Sequence, residues 1–410
     1  TRLSRGLGDV YKRQTLISLL FYTSLLGLVM GYVVNKTNFC TMGAVSDLVN
    51  IGDSSRLKSW MLAAIVAVIG VNLSQMFGLF DVTESRIPYT NSLFFWPRYV
   101  LGGLLFGIGM TYASGCGNKV LIRLGGGNLK SLFVLITAGA MAYLMTRTDF
   151  YGIVFHSWMQ PISPDLASFG INDQSLPSIL NFIIPIVESN TFSIIFGLVI
   201  PIVLMIYFFA DGKFNNFDHI LSGFVVGIVV TLAWFLTGGS MGQEWIETNN
   251  FLDNPYPSVG VQSFTFINPM AETMIYVGSA ADSYYLTFGV TALISVIIGS
   301  FIYAMISKSF RIEWFVSSND FLRHLFGAVL IGIGGVLSLG CTIGQGVTGI
   351  STLALGSFIT LASILLGAVI TMKIEYYNAV YEECSFIDSL FASLADIKLI
   401  PEKFRRLDKI

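Results

Sequence analysis

From residue 15 onward the chain alternates long apolar runs with short polar ones. Nine runs, at about 15–35, 59–80, 97–113, 129–145, 192–210, 219–236, 285–307, 323–338 and 356–373, are long enough to cross a hydrocarbon core of roughly 30 Å as helices. Four shorter stretches, at 38–49, 115–127, 238–247 and 341–352, are rich in glycine. They are too short to cross and too apolar for ordinary loops, so they predict re-entrant segments. The pattern as a whole predicts an all-α polytopic membrane protein. Composition agrees: 54% of the 410 residues are hydrophobic, 12% are charged and mean hydropathy is +0.71, against about 25% charged in a soluble domain.

The pattern also repeats. GLVMGYVV at 27–34 matches GFVVGIVV at 223–230, and each leads into a break, NFCTMG at 38–43 and TGGSMG at 237–242. GGLLFGIGMTYASGC at 102–116 overlies GAVLIGIGGVLSLGC at 327–341, pairing Gly102 with Gly327, Gly107 with Gly332, Gly109 with Gly334, Gly115 with Gly340 and Cys116 with Cys341. The expected organisation is a first half at 15–145, a connecting span at 192–210, a second half at 219–373 and a tail at 374–410. A single connecting span inverts the second half, and the site of an inverted repeat lies near the midplane between its halves.

Charge sets the orientation. With the tail cytoplasmic, sixteen of the 23 Lys and Arg fall inside, Lys213 and Lys409 among them, and only Arg86, Arg98 and Arg147 outside. The other four lie in the first 14 residues, TRLSRGLGDVYKRQ, which carry no apolar period and would sit on the wrong side; they read as a non-native scar. The expected setting is a bacterial inner membrane with the C-terminus in the cytoplasm.

A break in a membrane helix needs a cause, because each freed backbone N–H or C=O in hydrocarbon costs several kcal/mol. Where the backbone lines a cavity, helix N-termini there favour anions. Three of the four cysteines, Cys40, Cys116 and Cys341, fall at breaks; at the fourth break Gly239, followed by Ser240, stands opposite Cys40. Buried cysteine is commonly a small apolar filler, but two of these three are symmetric and all mark breaks. A thiol offers a weak S–H donor and a soft sulfur, of little use to nitrate or chloride and well suited to a sulfur-bearing anion. The substrate pathway is therefore read as Cys40, Cys116, Cys341, Gly115, Gly340, Asn118, Gln345, Gly239 and Ser240, with Asn118 and Gln345 as possible anion donors or simple helix caps.

Other groups carry less. Lys119 and Arg123 are accounted for by the orientation rule, Met42 and Met241 by packing, and Asn72 and Gln75 by interhelical hydrogen bonds. His156, His219 and His324 read as surface groups, and Cys384, beside Glu382 and Glu383, as a tail residue. No Asp or Glu lies mid-span, so a carboxylate proton relay has no support. Cysteine spacing gives no metal motif, no catalytic motif occurs, and no cofactor is expected.

NFCTMG, SGCGNK and GCTIGQG at 340–346, on a nine-span inverted repeat, resemble the YeeE/YedE family of bacterial inner-membrane sulfur transporters over roughly residues 15–375. The resemblance implies an hourglass-shaped permease importing thiosulfate, which passes along Cys40, Cys116 and Cys341 by transient S–H···S contacts without covalent exchange. It also implies a small cytoplasmic sulfur-carrier protein as partner. The long external segments 146–191 and 238–284 and the tail depart from the compact pattern and leave other sulfur or selenium species open. A general small-anion channel and a membrane thiol sulfurtransferase are the alternatives from other classes.

Overall fold

The computed structural model describes residues 2–185, 189–210, 214, 216–381 and 384–407. Thr1, Lys213, Glu382, Glu383 and Lys409 lie outside them. Among the described residues the fold is helical, with four isolated β-bridges, and nine helices are long and apolar enough to cross a membrane. The first half comprises α1 (Arg2–Thr37), α2 (Thr41–Asn50), α3 (Ser55–Met76), α4 (Trp96–Tyr112), α5 (Gly117–Gly125) and α6 (Leu129–Arg147). The span α7 (Thr191–Ala210) leads to α8 (Phe217–Gly238), α9 (Ser240–Asn250), α10 (Ile267–Gly278), α11 (Phe288–Ile306), α12 (Ser318–Leu337) and α13 (Leu355–Val380). The tail forms α14 (Phe386–Asp396).

Helix contacts pair off between the halves. α1 packs on α11 as α8 packs on α3, and α4 on α13 as α12 on α6; α1 also meets α8, and α4 meets α12. At the α4–α12 seam the repeated glycines meet reciprocally. A β-carbon on Gly109 would stand 2.7 Å from the Gly327 carbonyl oxygen, and one on Gly334 2.8 Å from that of Gly102. Rising numbers on one helix meet falling numbers on the other, so the two run antiparallel. These contacts are compatible with an inverted repeat. Small residues permit such approach where no hydrophobic effect drives helices together. α7 packs mainly against α3, and Ile202, Val203, Ile206 and Tyr207 on it remain exposed, as a lipid-facing helix requires.

Some boundaries differ from the pattern. α3 starts at Ser55, where Asp53 accepts the Ser55 N–H at 2.9 Å, and stops at Met76. The apolar 77–80 continues as a turn through Gly78 (φ +67°), and Phe80 packs against Phe235. Hydropathy registers burial of such a turn without its change of direction. The long segments are structured too: α10 packs on α6 and α11, and Gln174 of the 146–191 segment is buried with its amide on the Tyr99 hydroxyl at 3.0 Å. α12 begins at Ser318, earlier than the apolar run, so His324 is buried, its Nδ1 2.8 Å from the Asp320 carbonyl oxygen, and is not a surface group.

Candidate functional site

Three helices end in the same way, and each ending delivers a cysteine. Asn38, Ser114 and Leu339 are left-handed, with φ of 52°, 56° and 61°. The next residue donates back five positions: Phe39 to Val34 at 3.1 Å, Gly115 to Met110 at 2.9 Å, Gly340 to Gly335 at 2.8 Å. This is the Schellman ending, which satisfies helix carbonyls otherwise left bare. The residue that follows is Cys40, Cys116 or Cys341 in turn. Cys40 and Cys116 are extended, and N-cap α2 and α5. The Gly43 N–H donates to the Cys40 Sγ at 3.4 Å, and the Gly344 N–H to the Cys341 Sγ at 3.5 Å. The sulfur thus occupies the capping place usually held by Ser or Asp oxygen. The break and the placement of the thiol are one local event: a left-handed stop, one connecting residue, then a cysteine opening the next helical turn.

The second half has a twist on this plan. After Cys341 the segment is a π-helical turn, Gly344–Gly349, where the first half has the α-helix α5. The Tyr89 hydroxyl donates to the Gly344 carbonyl at 2.9 Å, and Thr342 and Thr348 are fully buried around the turn. π-turns recur at functional positions in helices.

The three cysteines converge. Cys40 is 8% exposed, Cys116 2% and Cys341 0%. The Cys40 and Cys116 side chains face one another, and Cys116 lies beside the Thr342 hydroxyl. Gly117 packs on the Cys341 β-carbon. Four buried side-chain atoms around them lack a hydrogen-bond partner among the described residues: Asn118 Oδ1, Thr265 Oγ1, Thr342 Oγ1 and Gln345 Oε1. The Thr265 hydroxyl borders the α-carbons of Gly340 and Gly344, on either side of Cys341. Each orphaned buried group costs about 1–3 kcal/mol, so this concentration around three thiols is where a polar guest would be taken up.

The remaining sequence candidates divide. Asn118 is buried two residues past Cys116, and Gly115 and Gly340 are the connecting residues of their breaks. Gln345 donates its amide to the Ser338 carbonyl, closing the end of α12. Asn72 bridges helices by donating to the Ser351 carbonyl at 3.2 Å. At the fourth break Gly239 N-caps α9, while Ser240 is exposed and lines a separate, largely apolar crevice with Leu25, Phe235 and Met241. No left-handed residue precedes it, so this break lacks both the thiol and the turn. Lys119 donates to the Asn38 side chain and Arg123 to the Ser114 carbonyl at 2.7 Å; both brace the left-handed residues of the breaks. Tyr89, Thr265 and Thr342 were not foreseen. Thr342 was visible in GCTIGQG as the neighbour of Cys341, but Tyr89 and Thr265 come from loops with no sequence signal.

The family model described as Sulphur transport matches residues 36–370. Two curated relatives are each named thiosulfate transporter TsuA. The one from Escherichia coli (strain K12) is 24% identical over 363 residues, covering 83% of this chain and 90% of the relative. The one from Spirochaeta thermophila is 23% identical over 356 residues, covering 84% of this chain and 95% of the relative.

Proposed function

The chain belongs to the Sulphur transport family and is a multi-pass membrane transporter of a sulfur compound; from that premise we propose that its substrate is thiosulfate, carried inward along Cys40, Cys116 and Cys341. The observation that carries this reading is the convergence of three thiols, each delivered by the same helix ending, on one buried cluster. A soft terminal sulfur accepts weak S–H contacts from such thiols. Weak, successive contacts let an ion enter and leave, as conduction requires. The Thr265 and Thr342 hydroxyls and Asn118 add polar contacts for the oxygen end. No bond is made or broken, so no base or leaving group is needed. The breaks at 38–49 and 115–127 enter from the cytoplasm and that at 341–352 from outside, with the tail cytoplasmic in an inner membrane. A small cytoplasmic sulfur-carrier protein receiving the substrate at the inner face belongs to the same proposal.

The test is thiosulfate uptake in cells lacking other sulfate and thiosulfate importers, comparing wild type with Cys→Ala at 40, 116 and 341. Each substitution is expected to lower uptake at least tenfold with the protein still in the membrane. Undiminished uptake in all three would overturn the thiol pathway, and equal flux of nitrate would make the protein a general anion channel.

A further inference from the structure

Between α11 and α12 the chain reads SKSFRIEWFVS at 307–317. Part of it runs extended beside the end of α5. The Arg311 N–H donates to the Gly126 carbonyl at 3.0 Å, the Glu313 N–H to that of Gly127 at 3.3 Å, and the Leu129 N–H to the Glu313 carbonyl at 3.0 Å. Asn128, the N-cap of α6, donates its side-chain amide to the Glu313 carboxylate. The fit is close: Gly127 is left-handed (φ +98°), and a β-carbon on it would stand 2.5 Å from the Arg311 carbonyl oxygen. These bonds fix the segment in one conformation.

Successive side chains of an extended segment point to opposite sides. Phe315 turns inward, its ring centroid 5.0 Å from that of Phe321 and 5.6 Å from that of Phe133. Ile312, Trp314 and Val316 form an alternating apolar row that is 74%, 56% and 89% exposed. The surroundings of that row say what covers it. Three spans end here: α11 at Ile306, α12 at Ser318 and α6 at Leu129. The Trp314 ring stands edge-on to Phe133, the fifth residue of α6, with centroids 5.3 Å apart. Trp314 therefore sits about one turn inside the end of a span, the depth at which tryptophan marks the membrane–water boundary. Exposed Met305 and Ile306 close α11 and exposed Leu322 lies early in α12, so lipid-facing surface flanks the row in the chain on both sides.

The same segment carries two cations. Lys308 and Arg311 are exposed, and neither side chain has a hydrogen bond or ion pair among the described residues. The carboxylates beside them are engaged, Glu313 by Asn128 and Asp320 by Lys130 at 2.7 Å. The segment thus presents uncompensated positive charge next to an apolar row.

We propose that residues 308–316 bind anionic phospholipid of the bilayer. Ile312, Trp314 and Val316 enter the boundary between headgroups and acyl chains, and Lys308 and Arg311 bind the lipid phosphates. Apolar side chains and basic residues on one short element match an anionic headgroup above its chains. The backbone bonds to α5 and α6 pre-organise the site, so little ordering is needed when lipid binds. This goes beyond the transport reading, and only the choice of the inner leaflet rests on the orientation given above.

The test uses the full chain reconstituted in mixed bilayers of phosphatidylcholine and phosphatidylglycerol, with bromine on the acyl chains of one lipid or the other at equal mole fraction. Bromine quenches nearby tryptophan, and the difference between wild type and Trp314→Phe isolates the share of Trp314. That share is expected to be quenched several-fold more by brominated phosphatidylglycerol than by brominated phosphatidylcholine. The double variant Lys308→Gln, Arg311→Gln should keep the quenching and lose the preference. Equal quenching by both lipids in the wild type would overturn anionic-lipid binding, as would a preference that survives in the double variant. Quenching by neither lipid would place the row outside the bilayer, leave it to a soluble partner and overturn the site altogether. Should Trp314→Phe fail to fold, the total fluorescence of wild type and double variant decides, since an unchanged preference for phosphatidylglycerol overturns the site equally. No step of this measurement uses thiosulfate, so a protein that fails to carry thiosulfate would refute the transport reading and leave the lipid site standing.

Discussion

Gly117, the residue after Cys116, packs against Cys341 so closely that a β-carbon on it would stand 3.3 Å from the Cys341 Cβ. The break of the first half thus touches the break of the second half at Cys341. A β-carbon there would also meet Ile267 at 3.3 Å, a second tight contact that a small shift must relieve, and Met270 at an ordinary 3.7 Å. Gly117→Ala is expected to fold and transport slowly. Gly117→Val, with two more methyl groups, should keep its place in the membrane and lose uptake at least tenfold. Uptake assays beside a melting curve of the purified protein separate blockage from misfolding, and normal uptake by the valine variant would show that nothing passes this contact.

The facing side chains of Cys40 and Cys116 predict a chemical cross-link. Copper–phenanthroline, taking two electrons and two protons from the pair, should join them in a disulfide, leave Cys341 single and stop uptake until a reductant is added. Peptide mass spectrometry identifies the linked pair. Linkage through Cys341 instead, or none, would contradict the arrangement.

Ser114 carries a β-carbon in a left-handed turn (φ 56°), a conformation that costs a non-glycine residue about 1 kcal/mol. Ser114→Gly removes that strain and leaves the carbonyl that accepts from Arg123 in place. The apparent melting temperature should rise by about 2 °C or less, with uptake retained. A fall would mean that the serine side chain stabilises the break.

Asp396 fastens the tail to α13. It accepts from Lys373 at 2.8 Å and from the Tyr377 hydroxyl at 3.1 Å, and pairs with Arg405. Burial by itself would raise this carboxyl, but the hydrogen bonds from Lys373 and Arg405 outweigh it and hold it below the usual carboxylate range. A lowered folded-state pKa stabilises docking above the unfolded value, near 3.9, and that stabilisation fades as pH falls through the folded value. The tail should therefore stay docked at pH 7 and at pH 5 and loosen only below about pH 4. Asp396→Asn should loosen it at neutral pH, seen as several-fold faster cleavage of the tail by added protease. Equal cleavage rates for variant and wild type at pH 7 would contradict the fastening role.

Much of this was legible in the residues. Long apolar runs gave the spans because a helix in lipid must be apolar along its length, and the glycine spacing that pairs Gly102 with Gly327 and Gly109 with Gly334 marked helices that meet through their backbones. The cysteines stood out because glycine and a break accompany them. Hidden from sequence were the contacts made by loops. Tyr89 and Thr265 reach the Cys341 turn from segments without periodicity, and Glu272 sits on α10, whose 12 residues are too few for a span. The shared left-handed stop was equally hidden, since Asn38, Ser114 and Leu339 have no chemistry in common. Their equivalence lies in position, two residues before each thiol.

The reciprocal glycine contacts between α4 and α12 have a mechanical consequence. Sliding these helices by one residue, about 1.5 Å, would drive Phe106 and Leu330 into slots that hold no side chain. The seam behaves as a detent rather than a bearing. Such a seam resists sliding of α4 along α12 more than two smooth helix faces would.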